Sequence, residues 1–133
     1  MRRGNDGKLY ILMIRQSRGG YRSFPKGHVE AGESERMTAE REVFEETAVR
    51  VKVSTDFRRT VTYSPSPGKL KDVVYFLAFT DAEETHPHEG EIAEASWVPL
   101  EGAEKLLAHE NDRLVLRAAM KHPDVIAFVG SRK

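Results

Sequence analysis

The sequence predicts one α+β domain, with a mixed sheet covered by helices on its faces. Three observations carry that reading. Strand-like and helix-like runs are interspersed along the chain instead of being segregated into halves. The length of 133 residues suits one domain, residues 1–133, with a core of its own. The balance of 39% apolar and 32% charged residues is that of a compact unit in water, and no internal repeat breaks it up.

Met1 to Gly7 is polar and contains glycine, so it predicts no strong strand. Lys8 to Arg15 reads as a buried strand, because Tyr10, Leu12 and Ile14 alternate with Ile11 and Met13 in a run apolar on both sides. Ser17 to Tyr21 is a Gly-containing loop, and Phe24 to Glu33 a loop punctuated by proline and glycine. Ser34 is placed to cap a helix running to about Thr47, with Ala39 and Val43 spaced to point inward. Val49 to Val53, Phe57 to Tyr63 and Val73 to Thr80 read as strands, the last two forming a hairpin around Ser64 to Gly68. Residues 81–94 are acidic and polar, Ser96 to Leu100 is a short strand, and Gly102 to about Lys121 is helical with a break near His109.

Charge and composition exclude several classes of function. Twenty-one basic and 21 acidic residues give a formal charge of zero, so no global field recruits nucleic acid or an anionic membrane, and anion binding must be local. With no cysteine there is neither a disulfide framework nor thiol chemistry, which fits a reducing, cytoplasmic setting. No signal peptide or membrane span is legible. Oligomeric state is left open, a homodimer included.

The chemistry concentrates between Gly27 and Val49. A helix places positions i, i+3 and i+4 on one face, so Glu42, Glu45 and Glu46 converge. Like charges at this spacing cost about 0.2–0.5 kcal/mol per pair, and a divalent cation is the natural compensation. Oxygen-only ligands suit Mg²⁺, which is held by one or two carboxylates together with substrate phosphates; the donor set argues against zinc. A solvated acidic face, partly neutralised by Arg41 at i−4 from Glu45, explains three glutamates alone equally well. The loop ahead of the helix, Phe24-Pro25-Lys26-Gly27-His28-Val29-Glu30-Ala31-Gly32-Glu33, tips the balance, since such a loop rarely precedes a plain surface helix.

Loop and helix together resemble the Nudix box, in which G, five residues, E and seven residues precede R-E-U-x-E-E-x-G-U, with U aliphatic. Gly27, Glu33, Arg41, Glu42, Val43, Glu45, Glu46 and Val49 fit it, and Ala48 stands where the family has its second glycine. The resemblance implies an αβα sandwich, hydrolysis of a phosphoanhydride, and Mg²⁺ as cofactor with Mn²⁺ as a substitute. It implies Glu42, Glu45 and Glu46 as metal ligands, Glu46 leading, with a backbone carbonyl near Lys26 or Gly27. Arg41 is implied to orient a carboxylate of the box, and Glu33 to shape the loop. Outside the box, Glu91 and Glu94 are the candidates for a base or further ligand; the diadenosine tetraphosphate hydrolases have a glutamate six positions before the matching tryptophan, and this resemblance implies Glu91, with a merely solvated carboxylate as the competing reading. A glycine just past a helix commonly adopts a left-handed conformation. Alanine there either stays right-handed and ends the helix differently, or accepts a penalty of about 1–2 kcal/mol. Members of the family usually have a strand ahead of the one at Lys8 to Arg15. Here it looks missing or degraded, so either the start is displaced or truncated, or the sheet loses a strand.

The substrate is written outside the box. The segments Phe24 to Ser34, Phe57 to Phe76 and Trp97 to Leu100 resemble those of the diadenosine polyphosphate hydrolases. That likeness implies a small nucleotide substrate, diadenosine tetraphosphate, cut to ATP and AMP. Lys26, Lys69 and Lys71 become phosphate ligands, Tyr63 and Tyr75 stack on adenine at about 1–3 kcal/mol per base, and His28 reaches a phosphate or leaving group. Burial of Tyr75 in the core and solvation of the lysines are the competing readings. His86 and His88 read as a solvated loop, and His109 and His122 as structural. Diphosphoinositol polyphosphates, nucleoside triphosphates, ADP-ribose and nucleotide sugars are alternative substrates, and a non-catalytic ligand sensor is the alternative of another class.

Overall fold

A computed structural model describes residues 1–26, 31–64 and 66–130. Its elements are β1 (Arg2–Arg3), β2 (Leu9–Gln16), β3 (Arg22–Ser23), α1 (Glu35–Thr47), β4 (Lys52–Tyr63), β5 (Lys71–Phe79), β6 (Ile92–Pro99), α2 (Ala103–Leu106), α3 (Glu110–Met120) and α4 (Pro123–Gly130). β2 is central: it pairs antiparallel with β6 along one edge and with β1 and β3 along the other. Its middle residues Leu12, Met13 and Ile14 are buried in succession, as a strand covered on both faces requires.

β4 and β5 form the expected antiparallel hairpin. β4 is one strand where the sequence suggests two, because the register jumps from Ser54↔Leu77 to Arg58↔Phe76. The residues left over there form a bulge that breaks the apolar alternation and turns Phe57 inward, to 1% exposure. Beyond it the hairpin has two distinct faces. On one, Tyr75 bonds Asp112 of α3, and Phe57 meets His122 edge-on. On the other, Arg58 makes a two-pronged ion pair with Glu35 of α1. The helices therefore lie on opposite faces, an αβα arrangement.

The main core lies between the sheet and α3, with Met13, Phe57, Leu77, Val98, Leu107, Val115 and Leu116 at its centre, and Val125 of α4 closes it. The sequence reading does not place α4, a short helix outside the segment ending at Lys121. β6 starts at Ile92, earlier than expected from Ser96, with Ile92 and Ala95 joining Ile14 in a second cluster. The break near His109 is present, separating α2 from α3. The strand ahead of β2, β1, has two residues.

α1 begins and ends where the local chemistry directs. The Ser34 hydroxyl accepts from the Met37 N–H at 3.1 Å, a standard N-cap. Ala48 is left-handed at φ 62°, and its N–H donates to the Phe44 carbonyl at 2.8 Å, so the chain accepts the penalty and keeps the glycine-type ending.

Candidate metal and nucleotide site

Arg41 organises the carboxylates of α1. Its Nε and Nη2 donate to the two oxygens of Glu33 at 2.6 and 3.0 Å, a fork on a carboxylate, while Nη1 donates to Glu42 at 2.5 Å and Glu45 at 3.0 Å. Thr38, buried on the same helix, donates its hydroxyl to Glu33 at 3.0 Å and fixes the loop end from below. Glu33 thus ties the loop to the helix, as the resemblance implies. Arg41 also supplies the positive charge that lets Glu42 and Glu45 stand one turn apart.

Glu46 differs from both. It is 7% exposed, and one carboxylate oxygen accepts the Lys26 backbone N–H at 3.0 Å. Burial pushes its carboxyl up to about 8, and the negative charges of Glu42 and Glu91 add to the shift; the Lys26 N–H and the charge of the Lys26 side chain only partly oppose it. Glu91 therefore belongs to the same electrostatic site although it is far along the chain. Backbone bonds bring it there: the His86 and His88 N–H groups donate to the carbonyls of Thr47 and Glu46, fastening the 81–94 segment to the end of α1. The His88 ring lies 3.8 Å from the Glu91 carboxylate. Glu94 is drawn elsewhere, toward Arg22 at 3.5 Å and Arg15 at 4.0 Å.

An oxygen-only donor set of Glu42, Glu46 and Glu91, in which burial and the neighbouring negative charges disfavour the ionised form of Glu46, fits a hard divalent cation. Among the described residues no three acidic or histidine side chains form a closed cage. Gly27, the backbone ligand implied by the resemblance, and His28 lie outside the described residues.

The nucleotide candidates gather on the α3 face of the hairpin. Tyr63 and Lys71 are directly opposite in the ladder and therefore share a face, and the Lys26 ammonium lies 5.7 Å from the Tyr63 ring centroid. Tyr63, Lys71 and Lys26 are half-buried, whereas Lys69 is exposed in the turn. Tyr75 requires a correction. It is 8% exposed, Phe24 meets it edge-on, and its hydroxyl donates to Asp112 at 2.6 Å, so it is locked in the core and its face is not offered to a base. Burial, with the Asp112 bond next, pushes its hydroxyl pKa upward.

Two supporting residues escaped the sequence reading. Asp112 sits on the buried stripe Asp112, Val115, Leu116, Ala119 of α3, and an acid at that spacing signals a buried partner. Glu40 accepts the Val53 N–H at 2.9 Å and ties α1 to the start of β4, a long-range bond with no local signature.

Known proteins match this architecture. A curated 8-oxo-(d)GTP phosphatase of Mycolicibacterium smegmatis is 32% identical over 120 residues, 90% of this chain and 36% of its own length. A MutT4-named protein of Mycobacterium tuberculosis is 34% identical over 99 residues, 73% of this chain and 40% of its own length. This chain thus spans about two fifths or less of those two relatives. The structure of a C. elegans Ap4A hydrolase, solved as a binary complex, aligns with a TM-score of 0.78 and 29% identity over 98% of this chain and 92% of that one. The family model described as the NUDIX domain matches residues 1–119, and with the box of α1 folded as described, the chain belongs to the NUDIX family.

Proposed function

We propose that the protein is a metal-dependent pyrophosphohydrolase acting on a dinucleoside polyphosphate, with diadenosine tetraphosphate the best candidate. The observation that carries this reading is Lys26. Its backbone N–H holds Glu46 of the metal face, while its ammonium lies against Tyr63, opposite Lys71. One residue therefore joins the carboxylates to a cationic and aromatic surface suited to a polyphosphate chain and a base.

Glu42, Glu45, Glu46 and Glu91 would hold Mg²⁺, which neutralises the phosphates and lowers the pKa of bound water. Arg41 orients Glu42 and Glu45, the Lys26 N–H orients Glu46, and Lys26 and Lys71 draw the polyphosphate in. Tyr63 offers a ring face to one adenine. In this reading Glu91 would serve either as a further metal ligand or as the base that accepts a proton from the attacking water. The likeness to the C. elegans Ap4A hydrolase over nearly the whole of both chains supports this substrate.

A second reading, hydrolysis of an oxidised guanosine triphosphate, is favoured by the name of the Mycolicibacterium smegmatis relative. Incubating the protein with Mg²⁺ and a panel of diadenosine polyphosphates, 8-oxo-dGTP, dGTP, ADP-ribose and diphosphoinositol phosphates separates the readings. The expected result is fastest turnover of diadenosine tetraphosphate, with ATP and AMP as products. Preference for 8-oxo-dGTP selects the second reading, and saturable binding without turnover makes the protein a sensor. Under the first reading Glu91→Gln lowers turnover by orders of magnitude, measured at saturating Mg²⁺; near-normal turnover removes Glu91 from the mechanism.

A further inference from the structure

Two arginines stand opposite one another where β2 meets β3. Arg15 and Arg22 are cross-strand partners, and like charges directly opposite destabilise a strand pair unless an anion lies between them. Among the described residues, the one carboxylate within 4.0 Å of either is Glu94, 4.0 Å from Arg15 and 3.5 Å from Arg22. The Ser96 hydroxyl also donates to it, at 3.2 Å. Two guanidiniums therefore share one negative charge. With side chains 39% and 34% exposed, and five donors each, both can take a further anion from solvent.

The pair adjoins the metal face. Ser17, two residues past Arg15, donates its N–H to the Glu91 carbonyl at 3.1 Å, so the arginines stand near the Glu91 end of the carboxylates. Lys26 stands at the Glu46 end, where its N–H holds Glu46 and its ammonium meets Tyr63. Both cationic groups lie on the α3 face of the sheet. Arg15 alternates with Met13 of the main core, and Phe24, two residues past Arg22, meets Tyr75 edge-on. Four residues of chain separate Arg22 from Lys26 by no more than about 14 Å, so one elongated anion can touch both groups.

We propose that Arg15 and Arg22 form a second phosphate subsite, which takes the end of the polyphosphate away from Tyr63 and Lys71 and displaces Glu94. The proposal rests on the dinucleoside polyphosphate reading. A substrate that extends from the metal in two directions needs a cationic contact on each side, and the arginine fork matches phosphate oxygens. Glu94, held at the limit of hydrogen-bond distance, is the competitor that the phosphate replaces.

Steady-state kinetics with diadenosine tetraphosphate at saturating Mg²⁺ tests this on the parent chain and on Arg22→Gln, Arg22→Lys, Arg15→Gln and Glu94→Gln, with Tm read on each. Arg22→Gln is expected to raise KM at least about 10-fold and Arg15→Gln at least about 3-fold, with kcat far less affected. Arg22→Lys keeps the charge without the fork and is expected to recover part of the loss. Glu94→Gln removes the competitor and is expected to lower KM about 3-fold, even though it leaves the arginines facing each other and lowers Tm. An ordinary surface ion cluster gives changes in Tm with KM unmoved throughout, and that result overturns the proposal. So does a higher KM in Glu94→Gln, or a loss of kcat by orders of magnitude there, which would make Glu94 the base. Absence of turnover by the parent chain removes the dinucleotide reading and the subsite with it, whereas turnover with KM unmoved by the substitutions removes the subsite alone.

Discussion

Glu46 is where the electrostatics of the site become measurable. Its carboxyl is raised from an ordinary value of 4.5 to about 8, so the folded chain holds a proton there that the unfolded chain releases between those values. Its contribution to stability is therefore fully present below pH 4.5, falls as pH rises, and is lost above 8. Without metal this amounts to a decline on the order of 4 kcal/mol across that window. Mg²⁺ binds the ionised form, so thermal denaturation should show a larger gain in Tm from Mg²⁺ at pH 8 than at pH 5. Glu46→Gln should remove that pH slope and most of the Mg²⁺ response, and lower turnover by orders of magnitude. An equal Mg²⁺ shift at both pH values in the parent chain would place the cation elsewhere. The identity of Glu46 as a ligand candidate is legible from the spacing of α1. Its burial is not, because the groups that surround it come from Lys26 and from the segment carrying Glu91.

Among the elements, α1 shows how far local chemistry reaches. The Ser34 cap and the helix length follow from residues within a turn of one another and are legible in the sequence, whereas the sequence left two endings open at Ala48, of which the left-handed one is present. Ala48→Gly should stabilise the protein by about 1 kcal/mol, raising Tm by roughly 2–4 °C in denaturation scans, with turnover unchanged because Ala48 touches no proposed ligand. β4 shows the opposite limit. Its bulge at Thr55 to Phe57 is dictated by pairing with β5, so the sequence pattern alone splits one strand into two. α4 escapes because the sequence reading ends the helical segment at Lys121, although Val125 and, three residues on, Phe128 pack against the core. Tyr75 lies on β5 with alternation that is clear in the sequence, yet the choice between stacking and core depended on Asp112 across the sheet. Tyr75→Phe should leave that buried carboxylate unpaired and cost about 1–3 kcal/mol in chemical denaturation. Turnover at saturating substrate should stay close to the parent value.

At the scale of the molecule, the αβα layering puts the two halves of the proposed chemistry on different supports. The metal carboxylates stand on α1, and the Tyr63 and Lys71 surface stands on the opposite face of the β4–β5 hairpin, joined through Lys26. A formal charge of zero means that no long-range field brings in a polyanion, so capture rests on these few cations. Lys71 is half-buried on a strand, opposite Tyr63, whereas Lys69 is exposed in the turn. Lys71→Ala should therefore raise KM for diadenosine tetraphosphate by about 10-fold, the scale of one charge-assisted hydrogen bond, while Lys69→Ala should change it by less than about 3-fold. Because Lys71 lies away from the carboxylates of α1, kcat should stay within a few-fold of the parent. If, as proposed, a long polyphosphate spans both supports and a shorter one reaches less far, the KM penalty of Lys71→Ala should shrink with diadenosine triphosphate. Steady-state kinetics on the two substrates checks this directly, and a loss confined to kcat would move Lys71 from capture of the chain to the reacting phosphate.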